Sequence, residues 1–181
     1  MKIGIIGAGQ IGGSLTRRLM SLGHEVYVAN SRGPETLGKL AAETGATPVS
    51  VSKAAQSGEL VIVDTGNYYP RQRDGRIEAI EAGMPESLWV EQQLGRPVVK
   101  AFNNIIAQHL LEFGRPKGSA GRIALPVVGD DNVAKSVVLR LVDELGFDGI
   151  DAGGLDESWR QQPGTPVYCA DLDAEGVRRA L

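Results

Sequence analysis

Apolar positions along this chain follow two rhythms, and the rhythms alternate. Short apolar runs predict strands at Ile3–Ile6, Glu25–Ala29, Thr47–Val49, Leu60–Val63, Pro97–Phe102, Ile123–Val128 and Phe147–Ala152. Spacings of three and four predict helices between them. The first opens at Ile11 and aligns Leu15, Leu19 and Leu22. Next come Glu35–Thr44, a brief Lys53–Ser57 capped by Ser52, Glu86–Leu94 and Ala107–Phe113. An amphipathic helix capped by Asp130 or Asp131 runs through Leu145, and another starts over Leu155–Gln161. Leu60–Val63 is apolar throughout, as expected of a strand buried on both faces of a parallel sheet. Pro126 has no N–H for a ladder, so its strand belongs toward an edge. Residues 68–83, punctuated by Pro70, Asp74-Gly75 and Gly83, predict irregular chain, as do residues 114–121.

Strand and helix alternating from end to end mean an α/β fold: a Rossmann-like, doubly wound, mostly parallel sheet. No boundary interrupts the alternation. One domain over 1–181 is expected, with 154–181 as a C-terminal extension. Ligands of such sheets lie at the carboxyl ends of the strands. That rule gathers Gly7–Gly12, Asn30–Arg32, Asp64–Asn67, Lys100–Asn104 and Gly129–Asp131 on one rim.

The first of these segments is the most specific. Gly7-Ala8-Gly9-Gln10-Ile11-Gly12 separates the first strand from the first helix, the context that makes G-x-G-x-x-G a dinucleotide signature. Gly7 permits the tight turn, Gly9 lets a pyrophosphate approach the backbone, and Gly12 lets the helix pack on the sheet. The second strand then ends in Asn30-Ser31-Arg32, where a chain selective for NAD places a carboxylate on the ribose. None of the three is acidic. Ser31 can hydrogen-bond a 2′-phosphate and Arg32 can pair with it, so the segment selects NADP(H) over NAD(H).

Composition narrows the field. A net charge of −3 and 5% aromatic residues argue against nucleic acid and anionic membranes as partners. No apolar run approaches the roughly 18 residues of a bilayer span. The chain opens on a core strand, which leaves no room for a leader, and its single cysteine cannot form an internal disulfide. The expected location is the cytoplasm. Cys169 lacks partners for nucleophilic or metal chemistry, and Asp130-Asp131 read as helix caps, so no metal site is expected. His24 lies in a turn at the opposite rim and His109 early on a helix; both read as structural. Strand alternation turns Lys100 away from any ligand-facing residue. Tyr68 and Tyr69 either stack on an acceptor ring or pack within their loop. Trp159 reads as an anchor of the C-terminal segment.

Taken together, GAGQIGGSL (7–15), LGHEV (22–26), ANSRGPETL (29–37), DTGNYYPRQRDG (64–75), VVKAFNNI (98–105), VVGDD (127–131) and LGFDGIDAGGL (145–155) give the chain a family likeness. It resembles the coenzyme F-420-dependent NADP reductases and their bacterial relatives, and the cytoplasmic domain of the six-transmembrane metalloreductases. The long Asn67–Gly83 insert follows the bacterial relatives rather than the archaeal deazaflavin reductases. The resemblance implies a small NADP(H) domain in which hydride passes directly between the nicotinamide and a deazaflavin. It implies that Gly9, Gln10 and Ile11 meet the pyrophosphate and that Ser31 and Arg32 hold the 2′-phosphate. Thr65, Gly66 and Asn67 would border the ribose and nicotinamide, and Ala101, Phe102 and Asn103 the nicotinamide pocket. Gly7, Gly12 and Asn30 complete the expected cofactor set. No catalytic acid or base is expected, since ring-to-ring transfer leaves the protein to bind and align. The expected activity is that of an NADP(H)-dependent oxidoreductase acting on a planar acceptor: deazaflavin, flavin or quinone. The alternative is a non-catalytic NADP(H)-binding or sensing module that works through a protein partner. So little cover over the pocket leads us to expect a homodimer.

Overall fold

The computed structural model describes residues 1–30, 32–56 and 62–181, with Ala55 and Gln56 described by backbone alone. Ser31, the Ser57 end of the third predicted helix, and Leu60 and Val61 of a predicted strand lie outside the described residues. In chain order the elements are β1 (Lys2–Ile6), α1 (Gln10–Ser21), β2 (Glu25–Ala29), α2 (Gly38–Thr44), β3 (Thr47–Pro48), α3 (Val51–Gln56), β4 (Ile62–Asp64), α4 (Glu78–Glu81), α5 (Glu86–Leu94), β5 (Val98–Lys100), α6 (Ala107–Glu112), β6 (Ala124–Val127), α7 (Asn132–Glu144), β7 (Asp148–Asp151) and α8 (Ala174–Ala180). They form two compact units.

The first unit comprises Met1–Ile62 and Ile106–Gly114. Its sheet has the order β1-β2-β3, all parallel, with Ile6 opposite Ala29 and Val28 opposite Pro48. Leu15 and Leu19 of α1 join Val26 and Val28 in the core. On the outer face of α1, the Arg17 guanidinium grips the Glu43 carboxylate of α2 with two bonds of 2.7 and 2.8 Å. Ser14 and Arg18 donate to the carbonyls of Ala107 and Leu111, which ties α1 to α6. α3 passes β1 so closely that a Cβ at Gly4 would overlap the Ala54 carbonyl. The cap of α3 is Ser50 rather than Ser52: the helix starts at Val51, and the Lys53 N–H donates to Ser50 Oγ at 3.3 Å. The predicted Glu35–Thr44 helix divides into a tight turn at Pro34–Leu37 and α2.

The second unit comprises Val63–Ile105 and Arg115–Leu181. β4 pairs with β5, and β6 runs parallel to β7 from Ala124 opposite Asp148 to Val127 opposite Asp151. An antiparallel bridge joins Lys100 to Val128. β6 therefore runs against β5, and Gly129 lies beside Val98 and Val99 instead of beyond their carboxyl ends. This corrects the expected rim: Gly129–Asp131 does not join Lys100–Asn104. Alternation explains Pro126. Ala124 and Val128 donate away from β7, to Leu172 and Lys100, so the missing N–H of Pro126 falls on that same side, between those two bonds, and costs the β6–β7 ladder nothing.

Asp131 caps α7, accepting from the Val133 and Ala134 N–H groups at 2.9 and 3.0 Å. Val138 and Val142 of that helix, and Leu145 at its C-terminal cap, are buried with Leu125, Val127 and Phe147. Residues 68–83 are more ordered than expected. Asp74 accepts the Tyr69 N–H at 2.7 Å, which closes a wide turn over Pro70–Asp74, and α4 follows. The C-terminal segment is integral to the unit. Val167, Leu172 and Val177 pack against Ala124 and Ile150, and α8 is capped by Asp173. Among the described residues, no helix is long and apolar enough to cross a membrane.

Candidate functional site

The glycine turn has the geometry its sequence demands. Gly7 has a φ of 104°, a region L side chains avoid, and its N–H is fixed by the Ala29 carbonyl at 2.8 Å. A Cβ at Gly12 would overlap the Gly7 carbonyl oxygen, so only glycine lets α1 start this close to the turn. Gly9 is the N-cap and supplies no side chain, which leaves the first-turn N–H groups at Gln10, Ile11 and Gly12 without a side-chain cap. A Cβ at Gly9 would meet nothing within 4 Å. An uncapped helix start facing open space is what a pyrophosphate requires.

At the end of β2, Asn30 organises its own loop. Its Oδ1 accepts the Arg32 N–H at 2.9 Å, and its Nδ2 donates to Thr36 Oγ1 at 2.9 Å. Arg32 is exposed, and its guanidinium has no ion pair or hydrogen bond among the described residues. One finding corrects the expectation of a loop without a carboxylate. Gly33, with a φ of 98°, turns the chain so that the Glu35 carboxylate folds back where a Gly33 Cβ would stand. The sequence carried a signal, since Glu35 follows Arg32 by three positions. Only the positive φ at Gly33 reveals that it returns.

In the second unit, the predicted residues rest on a buried ion cluster. The Lys100 ammonium is fully buried. It donates to Asp64 Oδ2 at 3.0 Å and to the Gly66 carbonyl at 2.7 Å, and lies 3.7 Å from Glu86 Oε2. Ser87 Oγ also donates to Asp64, whose other oxygen accepts the Gly66 N–H at 2.9 Å. Lys100 thus holds the Asp64–Asn67 loop, and contrary to the expectation from strand alternation its ammonium reaches Gly66, one of the residues expected to border the ribose. Burial pushes the Glu86 carboxyl above the usual glutamate range, against the pull of Lys100. Thr65 is half-buried and Gly66 exposed on this loop.

β4 and β5 end side by side, the Ala101 N–H donating to the Asp64 carbonyl at 3.2 Å. Beyond that point Phe102 adopts a φ of 63°, a strained conformation for a bulky side chain, while only 2% exposed. The next residue explains how the strain is held. Asn103 Nδ2 donates to Asn67 Oδ1 at 3.0 Å and to the Gln161 carbonyl at 2.7 Å. Its Oδ1 accepts Gln161 Nε2 at 2.8 Å, and its carbonyl accepts Asn67 Nδ2 at 2.9 Å. Asn67, Asn103 and Gln161 thus form one amide set, with Ala101 and Phe102 buried beside it. Next to it the Tyr69 and Tyr168 hydroxyls lie 2.8 Å apart. Burial first, then the bond to Tyr69, pushes the Tyr168 phenol well above the ordinary tyrosine range.

Gln161 and Tyr168 escaped sequence reasoning, as no periodicity or motif marks them. Of the two adjacent tyrosines, Tyr68 is a loop residue: its hydroxyl accepts the Ile77 N–H and donates to Glu81. Trp159 is 53% exposed and stacks under Arg160, so it does not anchor the tail; Leu155, Ser158 and Gln161, all buried, do. Residue 159 faces outward because the turn over Leu155–Gln161 is tighter than an α-helix. His24 contacts the N-terminal amine, and His109 stacks on Phe113 at 4.4 Å. No cluster that could hold a metal ion occurs among the described residues.

Comparison with known proteins agrees with this geometry. Residues 2–68 match the family model described as NADP oxidoreductase, coenzyme F-420-dependent. The Escherichia coli protein YjhV is 49% identical over 66 residues, 36% of this chain and 48% of that protein. The chain therefore matches about half the length of that curated relative. The hypothetical protein SMa0349 from Sinorhizobium meliloti is 28% identical, with a TM-score of 0.70 over 93% of this chain and 92% of that one. A crystal structure from Arthrobacter sp., named as a candidate F-420-dependent NADP-reductase, is 23% identical, with a TM-score of 0.68 over 86% of each chain. The motif resemblance is borne out: the chain has the fold of the NADP-dependent oxidoreductases, and residues 2–68 carry the signature of the coenzyme F-420-dependent family.

Proposed function

We propose that this chain is an NADP(H)-dependent oxidoreductase that transfers hydride directly between the nicotinamide and a planar redox acceptor, a deazaflavin, flavin or quinone. The observation that carries the reading is the uncapped start of α1 behind Gly9, with open space where a side chain would be. The bound dinucleotide supplies the hydride chemistry. The protein binds and orients. Backbone N–H groups of Gln10, Ile11 and Gly12 hold the pyrophosphate, and Arg32, with Ser31, holds the 2′-phosphate. Thr65, Gly66 and Asn67 border the ribose and nicotinamide, and Ala101, Phe102 and Asn103 back the ring. We take 1–181 as one NADP(H)-binding domain, with 154–181 as its extension.

Fluorescence titration tests the binding. NADPH should bind at least tenfold more tightly than NADH; equal affinities would overturn the reading. Stopped-flow mixing with NADPH and each acceptor tests the reaction. Tight NADPH binding with no oxidation by any of them would support the sensing module instead.

A further inference from the structure

We propose that the paired hydroxyls of Tyr69 and Tyr168 recognise the acceptor, donating a hydrogen bond to a carbonyl oxygen on its ring. This assignment rests on the oxidoreductase reading above and extends it to the class of acceptor: a quinone, or the dione ring of a deazaflavin or flavin. Its first support is position. Asn67 and Asn103 stand just past the carboxyl ends of β4 and β5, where doubly wound sheets hold ligands, and Asn67 Nδ2 lies 3.5 Å from the Tyr168 oxygen. The strained Phe102 marks the same place.

Proton counting supplies the second support. The two hydroxyls carry two protons, and the 2.8 Å bond between them uses one. Asn67 donates toward Tyr168 and so consumes no proton. The Cys169 thiol beside Tyr168 is only a weak acceptor. One phenolic proton is left without a strong acceptor among the described residues. Both tyrosines are half-buried, so water competes poorly with a ligand for that proton.

Both tyrosines are also held firmly, as recognition requires. The Tyr69 N–H is fixed by Asp74 at 2.7 Å, and Arg73 lies over its ring. The Tyr168 N–H donates to the Thr165 carbonyl at 3.1 Å, and the next N–H, of Cys169, to Asn104 at 2.8 Å. The pair is therefore set in place by backbone bonds, with the hydroxyls left to a ligand.

Equilibrium binding in the absence of NADPH tests the proposal, with oxidised coenzyme F-420 and 2,3-dimethoxy-5-methyl-1,4-benzoquinone as probes. At least one should bind the native protein and perturb its tyrosine ultraviolet spectrum. Tyr168→Phe and Tyr69→Phe should each weaken that binding, the stronger effect being roughly tenfold, about the worth of one hydrogen bond. NADPH affinity should stay within twofold, and the melting temperature should fall by no more than about 2–6 °C, the worth of the lost hydroxyl–hydroxyl bond. Which probe binds separates the quinone from the deazaflavin. Native protein that binds NADPH but neither probe overturns this assignment alone, as does probe binding that both variants retain within twofold. Native protein that binds neither NADPH nor a probe overturns the oxidoreductase reading too.

Discussion

At the tip of β2 two opposite charges stand on one short loop. The Arg32 guanidinium is exposed without an ion pair among the described residues, while the Gly33 turn folds the Glu35 carboxylate back against Gly33. A 2′-phosphate gains a charge-assisted bond from Arg32, worth about 1.5–3 kcal/mol. Glu35 repels it, by about 1 kcal/mol per pair of unit charges at 4 Å in bulk water and by more where the surface lowers the effective dielectric. Where Glu35 stays solvated the attraction exceeds the repulsion, and the proposed preference for the phosphorylated dinucleotide follows. Two outcomes follow from these magnitudes. Arg32→Ala should weaken NADPH by tenfold or more and leave NADH nearly unchanged. Glu35→Gln should tighten NADPH by two- to fivefold, again sparing NADH. Titration of both variants with both dinucleotides checks this, and parallel changes for the two ligands would refute a 2′-phosphate contact.

Elements place the second group of residues, and here two buried networks bear the strain. The Lys100 cluster pins the loop after β4 to α5 through Asp64, Ser87 and Glu86. Folding raises the Glu86 carboxyl above its unfolded range through burial. A carboxyl so shifted binds more protons folded than unfolded, so its ionisation opposes folding. The penalty is absent in acid and grows as the pH rises through the unfolded glutamate range. Glu86→Gln keeps an oxygen for Lys100 and removes the charge. It should unfold at higher urea than the native chain at neutral pH, and the difference should close in acid below pH 4. The amide set works the same way across a longer gap. Gln161→Leu would leave Asn103 Oδ1 buried without its donor, at a cost of about 1–3 kcal/mol read from the denaturation midpoint. These networks also mark how far the sequence could be read. The β1–α1 turn was legible because its glycines, apolar run and helical spacing lie within a few adjacent positions. Gln161 was not, because its partner Asn103 is 58 residues away and nothing local distinguishes it. The reversal of β6 was hidden for a like reason: one bridge to Lys100 sets it, and an apolar run has no direction.

For the molecule as a whole, ligand binding is a stability measurement. A ligand that binds only the folded chain stabilises it by RT ln(1 + [L]/Kd), about 2.7 kcal/mol at a hundredfold excess over Kd. A protein of this size moves roughly 2–4 °C per kcal/mol, so NADPH at that excess should raise the melting temperature by about 5–11 °C. NADH at the same concentration, bound tenfold more weakly, yields about 1.4 kcal/mol and half the shift. The chain carries a net charge of −3, which repels both dinucleotides, so the difference between them cannot come from its overall field. It must come from the local group that meets the extra phosphate. In Arg32→Ala the two shifts should therefore converge, chiefly through a smaller NADPH shift. A variant that keeps the full gap would place the 2′-phosphate away from the end of β2, whatever its affinity for the rest of the dinucleotide.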